Sequence, residues 1–355
     1  MPDPHPSRRR WPAEPAGGRP DRAAWQAAGV AILGSVMAIL DSTVVNVVLQ
    51  KLTIDFHTSF ATVQWVVTGY LLATAMVVPV TAWAGDRFGT TRLYLLAITV
   101  FLVGSVLAGA AWSIGSLIAF RVLQGFGGGM LGPAGTTIVV RAAGPQQVGK
   151  MMSVLAVPVL LGPISGPILG GWLADLADWR WVFFINVPVG VLAFVLARMV
   201  LPKDEPQPAV PFDFLGMLLL SPGLALLLFT AFLATGGVGA SVVWLPGALG
   251  VVGVVGFLVR ATRTRHPLID LSLFRDRMFT VSVTTLSLFV FGFFGSSILF
   301  PAYFLAVRGE STLHTGLLLL PGGLGALLSI PLCGQLADRM NIGRIVLPGL
   351  LLILA

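Results

Sequence analysis

The sequence predicts an all-α membrane protein, and three observations carry that prediction. Its composition is 56% hydrophobic and only 10% charged, against roughly 45–50% and about 25% in soluble domains, which excludes a water-soluble fold. Apolar runs of about 20 residues, the length a bilayer core requires, recur with short charged or Pro/Gly-rich punctuation between them. Finally, the positive charge falls almost wholly on one side once those runs are threaded back and forth.

In chain order, residues 1–24 hold Arg8, Arg9, Arg10, Arg19 and Arg22 among prolines and glycines. They lack the apolar core of a signal peptide and read as a disordered basic tail. Apolar spans follow at Trp25–Leu49, Thr62–Ala84, Leu93–Trp112, Gly115–Val140, Met151–Ala174, Trp181–Val200, Phe214–Ala234, Val242–Ala261, Phe279–Phe304 and Thr315–Leu336. Another run opens at Ile345 and stops at Ala355 without a charged or aromatic flank, so the chain reads as truncated inside an eleventh helix. Cys333, the single cysteine, reads as a small packing residue rather than a reactive thiol.

If the tail is cytoplasmic and the loops alternate, 18 of the 22 Lys and Arg lie inside, only Lys51, Arg180 and Arg308 lie outside, and Arg121 is within a span. This asymmetry sets a multi-pass topology in the plasma (inner) membrane with a cytoplasmic N-terminus, and accounts for the net charge of +7 without nucleic acid as a partner.

The loop after the second span carries Asp86, Arg87, Gly89 and Arg92, and the loop after the tenth repeats Asp338, Arg339 and Arg344 at a constant offset of 252. Related halves with the pathway between them are the usual construction of secondary transporters. The chain then divides into a six-helix bundle at 25–201, a cytoplasmic linker at 202–213, an inserted helix pair at 214–261, a connector at 262–278 and the start of a second six-helix bundle at 279–355. In such a loop the glycines let two helix ends pack. Asp86 can pair with an arginine and approach a helix N-terminus, and breaking that contact frees one half to rock against the other.

Asp41 is the only acidic residue inside any span and Arg121 the only basic one deep in a span. Both are costly in hydrocarbon unless paired. At 1.5 Å rise per residue, Asp41 lies about 6 Å and Arg121 about 9 Å from mid-membrane toward the same outer leaflet, so they can meet. A carboxylate whose cationic partner is present in one conformation and absent in another meets the requirement for a proton carrier, and Gln124, one turn from Arg121, can share the hydrogen bonding. A static pair tying two helices is the alternative.

Gly162, Gly166 and Gly170 recur every four residues and put bare backbone on one helix face for close approach, while Pro163 and Pro167 remove backbone hydrogen bonds and permit bending. The bland alternative is ordinary packing. The ninth span is rich in aromatics, among them Phe289, Phe293 and Tyr303, which either line a cavity for flat apolar or cationic compounds or face lipid. Asn46, Gln64, Trp65 and Tyr70 complete the candidate cavity. No enzyme signature is present: His5, His57, His266 and His314 are scattered, and Gly125–Gly129 has no following Lys-Ser/Thr and sits inside a span. ATP use is unsupported.

Taken together, Leu40, Asp41, Thr43 and Asn46, the run from Arg121 through Gln124 to Gly129, the series from Gly162 and Pro163 to Gly170 and Gly171, the stretch from Trp179 to Asn186, Pro188 and Gly190, and Pro267 to Phe274 resemble the major facilitator superfamily. Within it, they are similar to the fourteen-helix drug:proton antiporters. The resemblance implies the major facilitator fold, two six-helix bundles plus two inserted helices, and an exporter of small amphipathic or aromatic compounds that exchanges them for protons by alternating access, with no cofactor beyond the coupling proton. Ala82, Thr90 and Thr91 depart from the family's loop pattern, thinning its charge relay and leaving Arg87 and Arg92 to supply the positive charge. Rival readings are a proton-coupled nutrient symporter, which the helix-five series argues against, and an inactive truncated membrane protein. An outer-envelope efflux partner is left open.

Overall fold

A computed structural model of the chain describes residues 22–310, apart from 144–146, 177, 203–210, 236–239 and 265, together with scattered positions beyond 310. The described residues form α1 (Arg22–Asp55), α2 (Phe60–Phe88), α3 (Thr90–Gly109), α4 (Ile114–Ala143), α5 (Val148–Leu176), α6 (Trp181–Phe184), α7 (Asn186–Val200), α8 (Phe214–Thr235), α9 (Ala240–Ala261) and α10 (Arg277–Ala306), with a 3-10 turn at Leu271–Arg275. Among them seven helices are long and apolar enough to cross a membrane, α6 and α7 counting as one. The fold is an all-α membrane protein. Of the tenth and eleventh apolar runs only scattered positions are described, and Asp338, Arg339 and Arg344 lie outside the described residues.

Most helices outrun the apolar spans read from the sequence, because polar end residues continue the helical backbone where the bilayer ends. α1 opens at Arg22, within the stretch read as tail. Ser59 caps α2 by accepting from the Thr62 amide at 3.2 Å. Ser113 and Ser116 bond each other's backbone amides at the start of α4, at 3.2 and 3.1 Å, as in a capping box.

One local expectation is corrected and one is refined. The loop expected at 85–92 is a helical corner: Asp86 and Arg87 belong to the last turn of α2, Arg92 to the first turn of α3, and Gly89 alone turns the chain, at φ 94, a value a side chain disfavours. The sixth span runs Trp181–Val200 as expected, with a backbone that stays helical at Ile185 (φ -60, ψ -26) but a ladder that lapses there. Pro188 explains the lapse, since it has no amide hydrogen for the Phe184 carbonyl four residues back and its ring crowds that carbonyl.

α4 runs between α2 and α3, while α1 packs against α5, α4 and α7, and α3 also packs against α7. Two apolar clusters result. Met37, Tyr94, Phe101, Leu131 and their neighbours form one, and Val44, Val48, Leu117, Trp179 and Phe183 belong to the other. Along α1, α3 and α4 the switch between clusters falls at Asp41, Ser105 and the Arg121–Gln124 turn, so these polar residues share one layer sealed by apolar packing on both sides. α8 and α9 form a pair that joins the bundle through α2. The indole of Trp65 lies 5.3 Å from the Phe229 ring and that of Trp83 lies 4.1 Å from Phe212.

Candidate functional site

The polar layer is built from four helices. Arg121 and Gln124, three residues apart and so on one face of α4, meet Asp41 of α1, while Asn186 reaches the same carboxylate from the first residue of α7. Arg121 Nη1 donates to Asp41 Oδ2 at 2.6 Å and to Gln124 Oε1 at 2.7 Å, and its Nε donates to the Val66 carbonyl at 3.1 Å. Gln124 Nε2 and Asn186 Nδ2 donate to Asp41 Oδ1 at 2.8 and 3.0 Å. Asn186 Nδ2 also donates to Ser105 Oγ at 3.1 Å, whose hydroxyl in turn donates to the Phe183 carbonyl at 2.8 Å.

Asp41, Arg121 and Gln124 are at most 1% exposed. The pair is closed to solvent, neutral overall, and strengthened by the low dielectric that makes each charge costly alone. The Tyr70 ring covers the guanidinium at 4.2 Å and Phe183 lies 5.7 Å away, cation–π contacts that replace part of the lost hydration. Arg121 Nη2 is buried without a hydrogen-bond acceptor. Every donor on the carboxylate addresses an anion, so the arrangement is that of ionised Asp41.

The structure thus brings together Asp41, Arg121 and Gln124, the three residues read as the proton-coupling group. Tyr70, read as a cavity residue, is buried beneath Arg121 instead. Trp65 packs on α8, Gln64 is half-buried, and Asn46 is exposed and returns its amide to the Ser42 carbonyl at 2.9 Å. Phe289 and Phe293 stack at 5.9 Å on α10, with Tyr303 further along, and all three are exposed. Among the described residues none of the three touches the polar layer.

At the α2–α3 corner, Asp86 accepts from Arg141 Nη2 at 3.3 Å, and Arg141 Nη1 donates to Thr90 Oγ1 at 2.8 Å. Arg141, at the end of α4, is absent from the gating group read from the sequence, and Thr90, noted there as a departure, receives it. Arg87 and Arg92 are exposed. On α5, a Cβ at Gly166 would strike the Thr43 side chain, and one at Gly170 would lie 3.0 Å from the Val44 carbonyl and 3.1 Å from Val47, so α1 and α5 cross with little side chain between them. The side chains of Gly162, Pro163, Pro167 and Gly171 lie outside the described residues.

Sequence reasoning missed Ser105 and placed Asn186 only within a motif. The signal available was the same as for Asp41, a polar side chain in an apolar span, but weaker because neither is charged.

Fold and site together define a multi-pass helical membrane protein with, among the described residues, one sealed acid–base pair at its core. The chain belongs to the Major Facilitator Superfamily, whose family model matches residues 31–355, a family of transporters rather than enzymes. It is 45% identical over 331 residues to a multidrug resistance protein B homolog of Mycobacterium tuberculosis, covering 92% of this chain and 61% of that protein. A multidrug export protein EmrB of Haemophilus influenzae is 31% identical, with 88% and 62% covered. A putative multidrug resistance protein MdtD of Escherichia coli is 32% identical, with 92% and 69% covered. The chain therefore spans about three fifths of the length of the first of these relatives, 61%.

Among solved structures, the proton:xylose symporter XylE superposes with a TM-score of 0.58 at 14% identity, over 91% of this chain and 70% of that one. The human organic anion transporter MFSD10 gives 0.51 at 17%, over 90% and 74%. At these identities the likeness speaks for the fold alone.

Proposed function

We propose that the chain carries the proton-coupling bundle of a secondary active exporter that exchanges small amphipathic or aromatic compounds for protons by alternating access. One observation carries the reading: the buried Asp41–Arg121 pair at 2.6 Å, the only place among the described residues where an acid and a base meet with no exposure of either side chain. Names of relatives that refer to multidrug resistance and export support the direction of transport and the substrate class.

A proton arriving from the outer side neutralises Asp41, removes its attraction for Arg121 and releases α1 from α4. Return of the cation, or of water, in the inward-facing state expels the proton. The Asp86–Arg141 contact would tie the cytoplasmic ends of α2 and α4 in one state and part in the other. The excess of Arg and Lys assigned to one side favours a cytoplasmic N-terminus in the plasma (inner) membrane.

The test is proton-driven uptake of a fluorescent amphipathic cation into inverted membrane vesicles. Asp41→Asn is expected to abolish uptake driven by the gradient per amount of folded protein, with the folded amount measured alongside because the variant leaves Arg121 buried without its carboxylate. Uptake at the wild-type rate in that variant would remove the carrier role and leave a static pair.

A further inference from the structure

We infer that Asn186 and Ser105 form a relay that reports the protonation of Asp41 to the lapse in the sixth span, an inference that rests on Asp41 being the proton site proposed above.

The argument is one of donors and acceptors. Both oxygens of Asp41 accept hydrogen bonds: Oδ2 from Arg121, and Oδ1 from the amides of Gln124 and Asn186. A neutral acid becomes a donor at one oxygen and must then find an acceptor. At Oδ2 it would meet the guanidinium, which has none. At Oδ1 it meets two amide groups, and these differ. Gln124 is held in its present orientation because its Oε1 receives Arg121 Nη1 at 2.7 Å, so turning it would set an amide donor against a cation. Among the described residues, Asn186 has one other side-chain bond, to Ser105 Oγ at 3.1 Å. A hydroxyl donates or accepts with equal ease.

Asn186 is therefore the one neighbour that can turn its amide over without breaking an ionic contact. Its oxygen then accepts from the carboxyl of Asp41 and from the hydroxyl of Ser105. To make that bond Ser105 must withdraw from the Phe183 carbonyl, which it now meets at 2.8 Å. Phe183 stands two residues before Ile185, the residue between α6 and α7, and Asn186 opens α7 directly after it. One proton taken from solvent by Asp41 is thus converted into the loss of a hydrogen bond at the lapse in the sixth span, where Pro188 has already thinned the backbone ladder.

The surroundings leave little else to titrate. Facing Asp41 from α4 are Arg121 and Gln124, from α2 Tyr70 by way of the guanidinium, from α3 Ser105, and from α6 and α7 Phe183 and Asn186. α5, which crosses α1 at Gly166 and Gly170, carries two ionisable residues, Lys150 near its start, over Trp25, and Asp175 in its last turn. Asn186 and Ser105 act through Asp41 and are positioning residues.

The test uses the full chain in lipid nanodiscs and reads two signals across an acid titration. One is the infrared band of a protonated carboxyl, assigned by its absence in Asp41→Asn. The other is hydrogen exchange of the peptide covering Trp181–Gly190, corrected for the chemical exchange rate at each pH. In the wild type the band is expected to appear together with a rise in exchange of roughly fivefold, the factor that one hydrogen bond of ordinary net strength represents. In Ser105→Ala the band should persist and the exchange should no longer follow it. Asn186→Leu, isosteric and unable to hydrogen-bond, should behave the same way and serves if the serine variant fails to fold. Exchange that tracks the band in these variants as in the wild type overturns the relay while leaving Asp41 a proton site. Absence of the band from the wild type overturns the coupling role of Asp41, and the relay with it.

Discussion

Arg121 is held by more than its acid. The Asp41 carboxylate, the Gln124 and Val66 carbonyls and the Tyr70 ring all contact one guanidinium, which lysine, a point charge on a flexible stem, does not reproduce. The ring's share is separable. Tyr70→Phe keeps the aromatic face over the cation, whereas Tyr70→Leu keeps only the apolar volume. Unfolding temperatures in detergent should place the leucine variant below the phenylalanine variant by the equivalent of about 2 kcal/mol, the worth of a desolvated cation–π contact. Equal stabilities for the two would assign the ring a packing role alone.

At the scale of a helix, the glycine run of α4 has a purpose unrelated to phosphate. Gly125 and Gly129 lie against the backbone of α2 at Tyr70 and Thr74 and against the side chains of Ala73 and Val77, Gly127 lies against Phe101 of α3, and Gly104 of α3 answers against Gln124. Without those close approaches, α1 and α4 would still face each other, but α2 and α3 could not flank the pair closely enough for Tyr70 and Ser105 to join it. Gly127→Ala is expected to prise α3 from α4 at a cost of about 1–3 kcal/mol, with a lower unfolding temperature and weaker export. Gly132, on the same helix with nothing within 4 Å of a built Cβ, is the control, since alanine there gains helix propensity of roughly 1 kcal/mol without a clash.

For the molecule as a whole, the question is how the inserted pair is joined to the bundle. Trp65 and Trp83 of α2 meet Phe229 of α8 and Phe212 of the preceding segment, near opposite ends of α2. Asp213 closes the pair itself: it caps α8 through the Gly216 amide at 2.9 Å and takes Arg260 Nε from the end of α9 at 2.8 Å. Burial pushes the Asp213 carboxyl upward, but the Gly216 amide and the Arg260 guanidinium outweigh it and hold the group below the ordinary carboxylate range. A group whose folded value is depressed stabilises the fold above its unfolded value, about 3.9, and loses that contribution as pH falls through the folded one. Asp213→Asn should therefore be less stable than the wild type at pH 7, and the gap should close as the pH falls below the ordinary carboxylate range and through the lowered folded value. Unfolding temperatures of both proteins across that range check it, and a gap independent of pH would deny the charge its role.

The membrane class, most of the crossings and the Asp41–Arg121 pair were legible in the sequence because a bilayer reads hydropathy and charge residue by residue. An acid and a base in otherwise apolar spans announce themselves without any knowledge of packing, and their depths follow from helical rise. Which way a neutral side chain faces was not legible. In water an apolar stripe reveals a helix's buried face, but in lipid both faces are apolar and the direction is set by neighbouring helices. Tyr70 therefore went beneath Arg121, and Trp65 onto α8. Asn186 joined Asp41 only because the sixth span packs against α1 at that depth, and Thr90 met Arg141 only because Gly89 folds two helices into one corner. Tertiary structure alone decided these, since each depends on what a different helix presents at the same depth.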